Sequence, residues 1–369
     1  MRTRIAIFIA VIQSILLLAH YFVYTTWTTF RAEPDPPGTI GLQVVTAVLA
    51  VSFVAASLLA FRYFNVVVRL FYRIAAAWLG TVNFLVLAAC LCWLIYLVAP
   101  LVGVRLQRSL LASAVFVLAL AASLYGVLNA RWIRLKRIKV VLPNLPPSWR
   151  GRVAALLSDV HLGHVNALGF MGGIVTRLTR LKPDVVFLTG DLYDGTKVDA
   201  GLLVSPWKHL SPPYGTYFVT GNHEEFSDPA RYLDAVRDSG VRVLRNEKVM
   251  VDGLQIVGVD YHDSAHAERF RAVLESAAIE PGRASILLSH SPHALSIPEK
   301  AGISLQLSGH THGGQVFPFT WFTRRIFGPY IYGLQRFGRM LVYTTTGAGT
   351  WGPPMRVGAD PEIVLIEFA

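Results

Sequence analysis

The chain has 369 residues, is 53% hydrophobic and carries a formal net charge of +11. A mean hydropathy of +0.46 is too high for an ordinary soluble globular protein. Two cysteines exclude a disulfide framework and a cysteine-based zinc site. In chain order, four long runs with almost no charge come first, at 5–27, 39–61, 74–98 and 109–129. Each reaches the roughly 20 residues that a helix needs to cross a bilayer. The first is long for a signal peptide and lacks an A-x-A cleavage pattern, so it is expected to remain as an anchor. Cys90 and Cys92 fall in the third run, on different helix faces, and do not pair. Arg2, Arg4, Arg62, Arg69, Arg73, Arg131, Arg134, Lys136, Arg137 and Lys139 lie on one side of the four spans; Arg31, Arg105 and Arg108, with Glu33 and Asp35, lie on the other. The positive-inside rule then places both termini, and the whole region beyond the fourth span, in the cytoplasm of a multi-pass protein of the cell membrane.

The charge is uneven. Residues 1–139 hold 13 Lys+Arg and 2 Asp+Glu, and residues 140–369 hold 21 of each. The basic excess therefore belongs with anionic headgroups, the lipid bilayer is one expected partner, and a long nucleic acid is not. The Pro-rich stretch VVLPNLPPSWRG, 140–151, reads as a linker. It divides the chain into a four-span transmembrane domain (1–139), the linker (140–151) and a second domain (152–369).

Beyond Arg152 the texture changes. VAALLSDVHLG, PDVVFLTGDLYDG, GTYFVTGNHEEF, ASILLSHSP and ISLQLSGHTHGG each join an apolar run of strand length to a polar cluster. Such runs fit buried strands, and open α/β sheets gather ligands at the carboxyl ends of their strands. Helical patterns lie between, around 170–181, 229–239 and 265–278, so the region is predicted to be an α/β domain. Its strand ends carry Asp159 and His161, Asp191, Asn222 and His223, His290, then His310 and His312. Divalent metals of borderline hardness favour such a mixture of imidazole and oxygen donors. In an extended chain, D-x-H and H-x-H send both side chains to one face.

These motifs, read here as DVH, GDLYD, GNHE, SH and GHTH in that order, resemble the calcineurin-like metallophosphoesterase superfamily. The similarity covers about residues 152–369. The ending GAGTWGPPMRVGADPEI, taken with GHTHGGQVFP, resembles a membrane-associated bacterial branch of it. The resemblance implies an αββα sandwich and a two-metal site. Asp159, His161 and His312 would hold one ion, Asn222, His290 and His310 the other, and Asp191 would bridge them. His223 would be the catalytic histidine, contacting phosphate and protonating the departing oxygen without binding metal. Asp194 and Glu224 would orient ligand imidazoles from behind. The implied chemistry is attack of a metal-bridging hydroxide on phosphorus. Purple acid phosphatases place an iron-binding tyrosine where this chain has Asp194, one residue past Tyr193. Manganese is therefore favoured, with zinc or ferrous iron as alternatives.

The implied function is a membrane-anchored phosphohydrolase acting on a phosphodiester or pyrophosphate, in a phosphate-containing small molecule or a lipid-linked substrate. The superfamily includes UDP-diacylglucosamine pyrophosphohydrolases of lipid A synthesis. Two alternatives stand beside it: a small-nucleotide phosphodiesterase or nuclease, and a non-catalytic membrane sensor with a hydrolase-like domain. The full ligand set argues against the sensor. Finally, residues 315–340 contain eight aromatic residues, four arginines and no acidic residue. They read either as a long loop packed on its own domain or as a flap at the membrane interface. Trp321, Phe322, Arg324 and Arg325, with His164 near the DVH motif, are candidates for substrate or membrane contact.

Overall fold

A computed structural model of the chain describes residues 2–31, 39–226 and 229–369. Glu33 and Asp35, counted above in the first loop, lie outside the described residues. The chain divides into two units, Met1–Leu128 with Gly352–Met355, and Asn129–Trp351 with Arg356–Ala369.

The first unit contains α1 (Arg2–Arg31), α2 (Thr39–Ala60), α3 (Val66–Val98) and most of α4 (Arg108–Arg131). All four are long and apolar enough to cross a membrane. The 22 residues of α2 include no charge and rise about 33 Å at 1.5 Å per residue. Polar groups inside this unit satisfy one another, as an apolar surrounding requires. His20 Nδ1–H donates to Leu16 O at 2.7 Å, which leaves Nε2 to accept from Trp78 Nε1–H at 2.8 Å. Trp93 Nε1–H donates to Thr26 Oγ1 at 2.9 Å. The third helix starts earlier than its apolar run, at an Asn65 side chain that caps Val68 N. Arg69 and Arg73 are therefore helical and not loop residues. Cys90 is exposed and Cys92 buried, on different faces as expected.

The second unit is mixed α/β. Its strands are β1 (Arg134–Val140), β2 (Val153–Leu157), β3 (Val185–Thr189), β4 (Thr216–Val219), β5 (Arg242–Val243), β6 (Glu247–Val251), β7 (Leu254–Gly258), β8 (Ser285–Leu288), β9 (Leu305–Ser308), β10 (Gly333–Phe337), β11 (Met340–Thr344) and β12 (Glu362–Phe368). Its helices are α5 (Leu168–Leu181), α6 (Ala200–Val204), α7 (Pro229–Asp238), α8 (Tyr261–Ser264), α9 (Ala267–Ser276), α10 (Ser296–Lys300) and α11 (Phe319–Phe327).

The strands form two six-stranded sheets, ordered β1-β12-β2-β3-β4-β5 and β10-β11-β9-β8-β7-β6. Alternate residues explain why the sheets stack. Ala154 and Leu156, Val185 and Phe187, and Val364 and Ile366 share one buried cluster with Leu254 and Ile256, Ile286 and Leu288, and Leu305 and Leu307. Period-two alternation aims one face of each sheet at the other. On the far side of the second sheet, Val257, Leu287 and Val342 pack with Phe270 and Leu274 of α9 and Ile297 of α10. Within the first sheet β2, β3 and β4 run parallel, and within the second β7, β8, β9 and β11 do. Their carboxyl ends therefore collect at one edge of each sheet.

The domain boundary differs from the sequence reading. β1 pairs in parallel with β12 along all seven of its residues, so the basic run after α4 is a sheet edge. Lys136, Arg137 and Lys139 are exposed on it, and charged side chains keep an edge strand from pairing with other chains. The stretch expected to be a linker anchors Val140, Leu142, Leu145 and Trp149 in the core. Trp149 is fully buried, stacks on Tyr214 at 4.9 Å and donates Nε1–H to Val251 O at 2.9 Å. With the boundary at Asn129, the second unit holds 26 Lys+Arg against 21 Asp+Glu. It is not neutral, but the whole excess lies within residues 131–139.

Candidate metal centre

The strand ends carry the residues expected there. Asp159 and His161 follow β2, Asp191 follows β3, Asn222 and His223 follow β4, His290 follows β8, and His310 and His312 follow β9. The backbone that aims them is not extended, contrary to the alternation argument. Asp159, His161, Asp191, His310 and His312 all have φ between 50° and 69°. Non-glycine residues in that left-handed region cost roughly 1–3 kcal/mol each and persist where the surroundings hold them. Main-chain hydrogen bonds do so here: Asp159 N donates to Gly190 O at 3.1 Å and His161 N to Asp191 O at 3.0 Å. Gly309 serves close approach, since an added Cβ would lie 1.9 Å from Ser158 Oγ and 2.2 Å from Asp159 Oδ2.

The donor atoms converge in two neighbouring groups. In the first, His312 Nε2 lies 3.0 Å from His161 Nε2 and 3.2 Å from Asp159 Oδ1. In the second, His290 Nε2 lies 3.1 Å from His310 Nδ1 and 3.2 Å from Asp191 Oδ2. That same Asp191 oxygen is 3.8 Å from His161 Nε2. His290 Nδ1–H is committed to Thr189 O at 2.7 Å, which leaves Nε2 as the nitrogen that faces Asp191 and His310. Imidazole nitrogens face each other in both groups, close enough for one ring N–H to bond the other ring or for both lone pairs to bind one cation. Asn222 Oδ1 is buried with no hydrogen-bond partner, and a buried acceptor left in that state calls for an ion or water. Asp159 and Asp191 are buried carboxylates. Burial works to raise both, but the histidines outweigh it and hold both well below the usual carboxylate range: chiefly His312 at Asp159, and His290 at Asp191. Two buried anions, converging imidazoles and an orphaned amide oxygen fit divalent cations.

His223 is held differently. Its Nδ1–H donates to the main-chain oxygen of Asp194 at 2.9 Å, and its Nε2 lies 4.0 Å from Asp191 Oδ2. His161, Asp191 and His223 nevertheless form a third group of close donor atoms. The two carboxylates expected to orient ligand imidazoles do other things. Asp194 accepts from Thr196 N at 2.8 Å and Thr196 Oγ1 at 2.6 Å, and it orients His223 through its carbonyl. Glu224 is fully buried and accepts from the amides of Gly221, Asp191 and Tyr193 at 2.7, 2.9 and 3.0 Å. It ties the GDLYD loop to the GNHE loop, and burial pushes its carboxyl up to about 7. His164 is fully buried against Thr196, 3.1 Å away, which removes it as a substrate contact. Tyr193 OH donates to Ala200 O at 3.1 Å and its ring stacks on Tyr232, away from the metal donors.

Four further residues shape the site and escaped sequence reasoning. Arg356 is fully buried and donates to the carbonyls of His312 at 2.9 Å, Thr346 at 2.8 Å and Gly349 at 2.6 Å. It joins the GHTH loop to the GAGT loop, whose Gly349 N in turn donates to Asp159 O at 2.8 Å. Burial pulls its pKa down to about 10, which leaves it charged at neutral pH. The Gln315 side chain grips the Trp351 main chain at both polar atoms: Nε2 donates to Trp351 O at 2.9 Å, and Oε1 accepts from Trp351 N at 3.0 Å. This sets the Trp351 ring 5.5 Å from the His223 ring, and Phe226 lies 4.6 Å from it. Both aromatics are more than half exposed, so two open rings flank His223. α11 carries Trp321, Phe322, Arg324 and Arg325 exposed to solvent, directly after the GHTH loop.

Two variants separate these roles. Arg356→Met removes the donors from three buried carbonyls, each worth about 1–3 kcal/mol when orphaned. It is expected to lower the melting temperature and weaken metal retention, read by thermal denaturation and metal analysis. Gln315→Leu frees Trp351 without touching a donor atom. It should leave metal content unchanged and raise KM several-fold for substrates with an apolar or aromatic group beside the phosphate, read by steady-state kinetics.

Comparison with known proteins agrees with this geometry. Residues 153–314 match the family model described as calcineurin-like phosphoesterase. A metallophosphoesterase of Campylobacter jejuni is 31% identical over 268 residues, covering 71% of this chain and 69% of its own. A transmembrane protein with metallophosphoesterase domain from Danio rerio is 32% identical, covering 66% of this chain and 59% of its own. A metallophosphoesterase of Aquifex aeolicus is 31% identical, covering 68% of this chain and 97% of its own. With its motifs at the expected strand ends and relatives of this kind across most of its length, the chain belongs to the calcineurin-like metallophosphoesterase family and is a phosphoester hydrolase that binds divalent metal.

Proposed function

We propose that the protein is a membrane-anchored phosphohydrolase with a two-metal centre, cleaving a phosphodiester or pyrophosphate bond in a substrate that carries an apolar, lipid-linked portion. The observation that carries the two-metal reading is the position of Asp191 Oδ2, within 4 Å of donor nitrogens in both groups. Asp159, His161 and His312 would hold one ion, Asn222, His290 and His310 the other, and Asp191 both. A bound pair of divalent ions supplies Lewis acidity to the phosphoryl oxygens and a water acidic enough to ionise near neutral pH. Manganese remains the favoured metal.

The protein's own groups do the rest. With Nδ1–H fixed on Asp194 O, His223 keeps its ring orientation and turns Nε2 toward the metal donors. From Nε2 it donates a proton to the departing oxygen, which then leaves as an alcohol instead of an alkoxide, or as a phosphate with one negative charge fewer. Glu224 holds the Asp191 and Asn222 loops in register through three amides. Phe226 and Trp351 offer apolar walls beside His223, where the leaving group would lie. The same rings would stack a base, which favours a small-nucleotide phosphodiesterase as the second reading. Phosphate release from lipid pyrophosphates, phospholipids and nucleotides, measured side by side, separates the two.

The metal assignment is tested by two substitutions. Asp191→Asn should lower activity by at least about a hundredfold and lower metal content with it. His223→Ala should lose activity while metal content stays, and loss of metal from His223→Ala contradicts its role as a proton donor. We further propose that both termini and the catalytic domain are cytoplasmic, supported by ten basic residues on one side of the spans against three on the other. A reporter fused after Ala369 should be active only as a cytoplasmic fusion. A periplasmic signal overturns the assignment.

A further inference from the structure

Helix α11, Phe319–Phe327, is amphipathic the wrong way round for a soluble domain. Thr320, Thr323 and Phe327, at i, i+3 and i+7, are half-buried and face the protein. Phe319, Phe322 and Ile326 follow the same spacing one residue earlier, about 100° around the helix, and all are more than half exposed, Ile326 at 76%. Trp321 beside them is equally open. A surface helix ordinarily turns its apolar stripe inward. Each of these side chains forgoes part of the gain of burial by staying in water. A contiguous apolar patch of this kind marks a second apolar phase.

Two features identify that phase. The chain carries four helices of membrane length. The last of them ends at Arg131 and β1 begins at Arg134, so at most about 10 Å of backbone separates the two ends. The second unit is thus covalently continuous with a helix of membrane length. The second feature is charge. Arg324 and Arg325 stand exposed on α11, the Arg325 guanidinium lies 5.8 Å from the Trp321 ring, and residues 315–340 contain no acidic group. Tryptophan settles at headgroup level, and arginine can bury its stem while its head meets lipid phosphate.

We propose that α11 is an interfacial helix, seated with Phe319, Trp321, Phe322 and Ile326 in the headgroup region of an anionic bilayer. Its inner side is fixed to the metal-site loop. Gly314 has φ +81°, and a Cβ there would lie 2.3 Å from Thr320 Cα, so α11 packs directly on the turn that follows His312. Phe327 at the other end lies 6.1 Å from the His310 ring. One short helix thereby joins the membrane surface to the donors after β9. The surface contact stands independently of the substrate proposed above.

The test reads depth and not catalysis, so it stands apart from failure of the phosphohydrolase reading. The full chain, with Cys90→Ala and Cys92→Ala, takes a single Ile326→Cys carrying an environment-sensitive fluorophore, and is reconstituted in phosphatidylcholine–phosphatidylglycerol vesicles. Ile326 is the most exposed of the four apolar side chains, at 76%, and so the position best able to carry a label. The same label at Arg271→Cys, exposed on α9, gives the aqueous reference. The expected result is a blue-shifted Ile326 emission, quenched by lipids brominated near the headgroup and shielded from iodide. Adding Arg324→Gln and Arg325→Gln should reduce the lipid quenching. Water-like emission, open to iodide and untouched by brominated lipid, would overturn the proposal.

Discussion

The site depends on a single buried carboxylate oxygen. Asp191 Oδ2 lies 3.2 Å from His290 Nε2 and 3.8 Å from His161 Nε2, one in each donor group. An anion there, taken out of water, is tolerable only if cations or donors surround it. The surrounding structure is arranged to that end. Asp191 Oδ1 accepts from His223 N at 2.9 Å, and Asp191's own N–H donates to Glu224 Oε2 at 2.9 Å. The strained backbone at Asp159, His161, Asp191, His310 and His312 belongs to the same arrangement. The sandwich is the frame that tolerates this, since two sheets packed through one core hold five strand ends at one place.

The donor set was legible in the sequence because carboxylates and imidazoles at successive strand ends have few other reasons to recur. The means of aiming them was not. Left-handed φ at Asp159 or His310 leaves no compositional mark, and extended alternation gave the same faces for a different reason. Arg356 and Gln315 were invisible because they act on main-chain atoms 44 and 36 residues away. A lone arginine beside GPPM does not advertise three buried carbonyls. Glu224 and Asp194 were read as residues behind the site; the Glu224 carboxylate accepts from amides and that of Asp194 from an amide and a hydroxyl, in place of ligand imidazoles.

The remaining differences share one physical cause, that a basic or apolar run has more than one use. RLKRIKV after α4 reads as a polybasic membrane exit, and it is also a charged edge strand paired with β12. VVLPNLPPSWRG has the prolines of a linker, and Val140, Leu142, Leu145 and Trp149 tie it to the core. The stretch after GHTHGG forms a nine-residue helix between Pro318 and Gly328, a length that periodicity alone does not resolve. In each case the sequence supplied the chemistry, and the tertiary partner decided its use.

The central claim is that Asp191 joins two metal positions into one centre. Electron paramagnetic resonance of the purified full-length protein, loaded with Mn²⁺ and quantified by metal analysis, tests it most directly. The account predicts two manganese ions per chain and an exchange-coupled signal from a pair that shares a bridging carboxylate. One ion per chain with the six-line signal of isolated Mn²⁺ would contradict it.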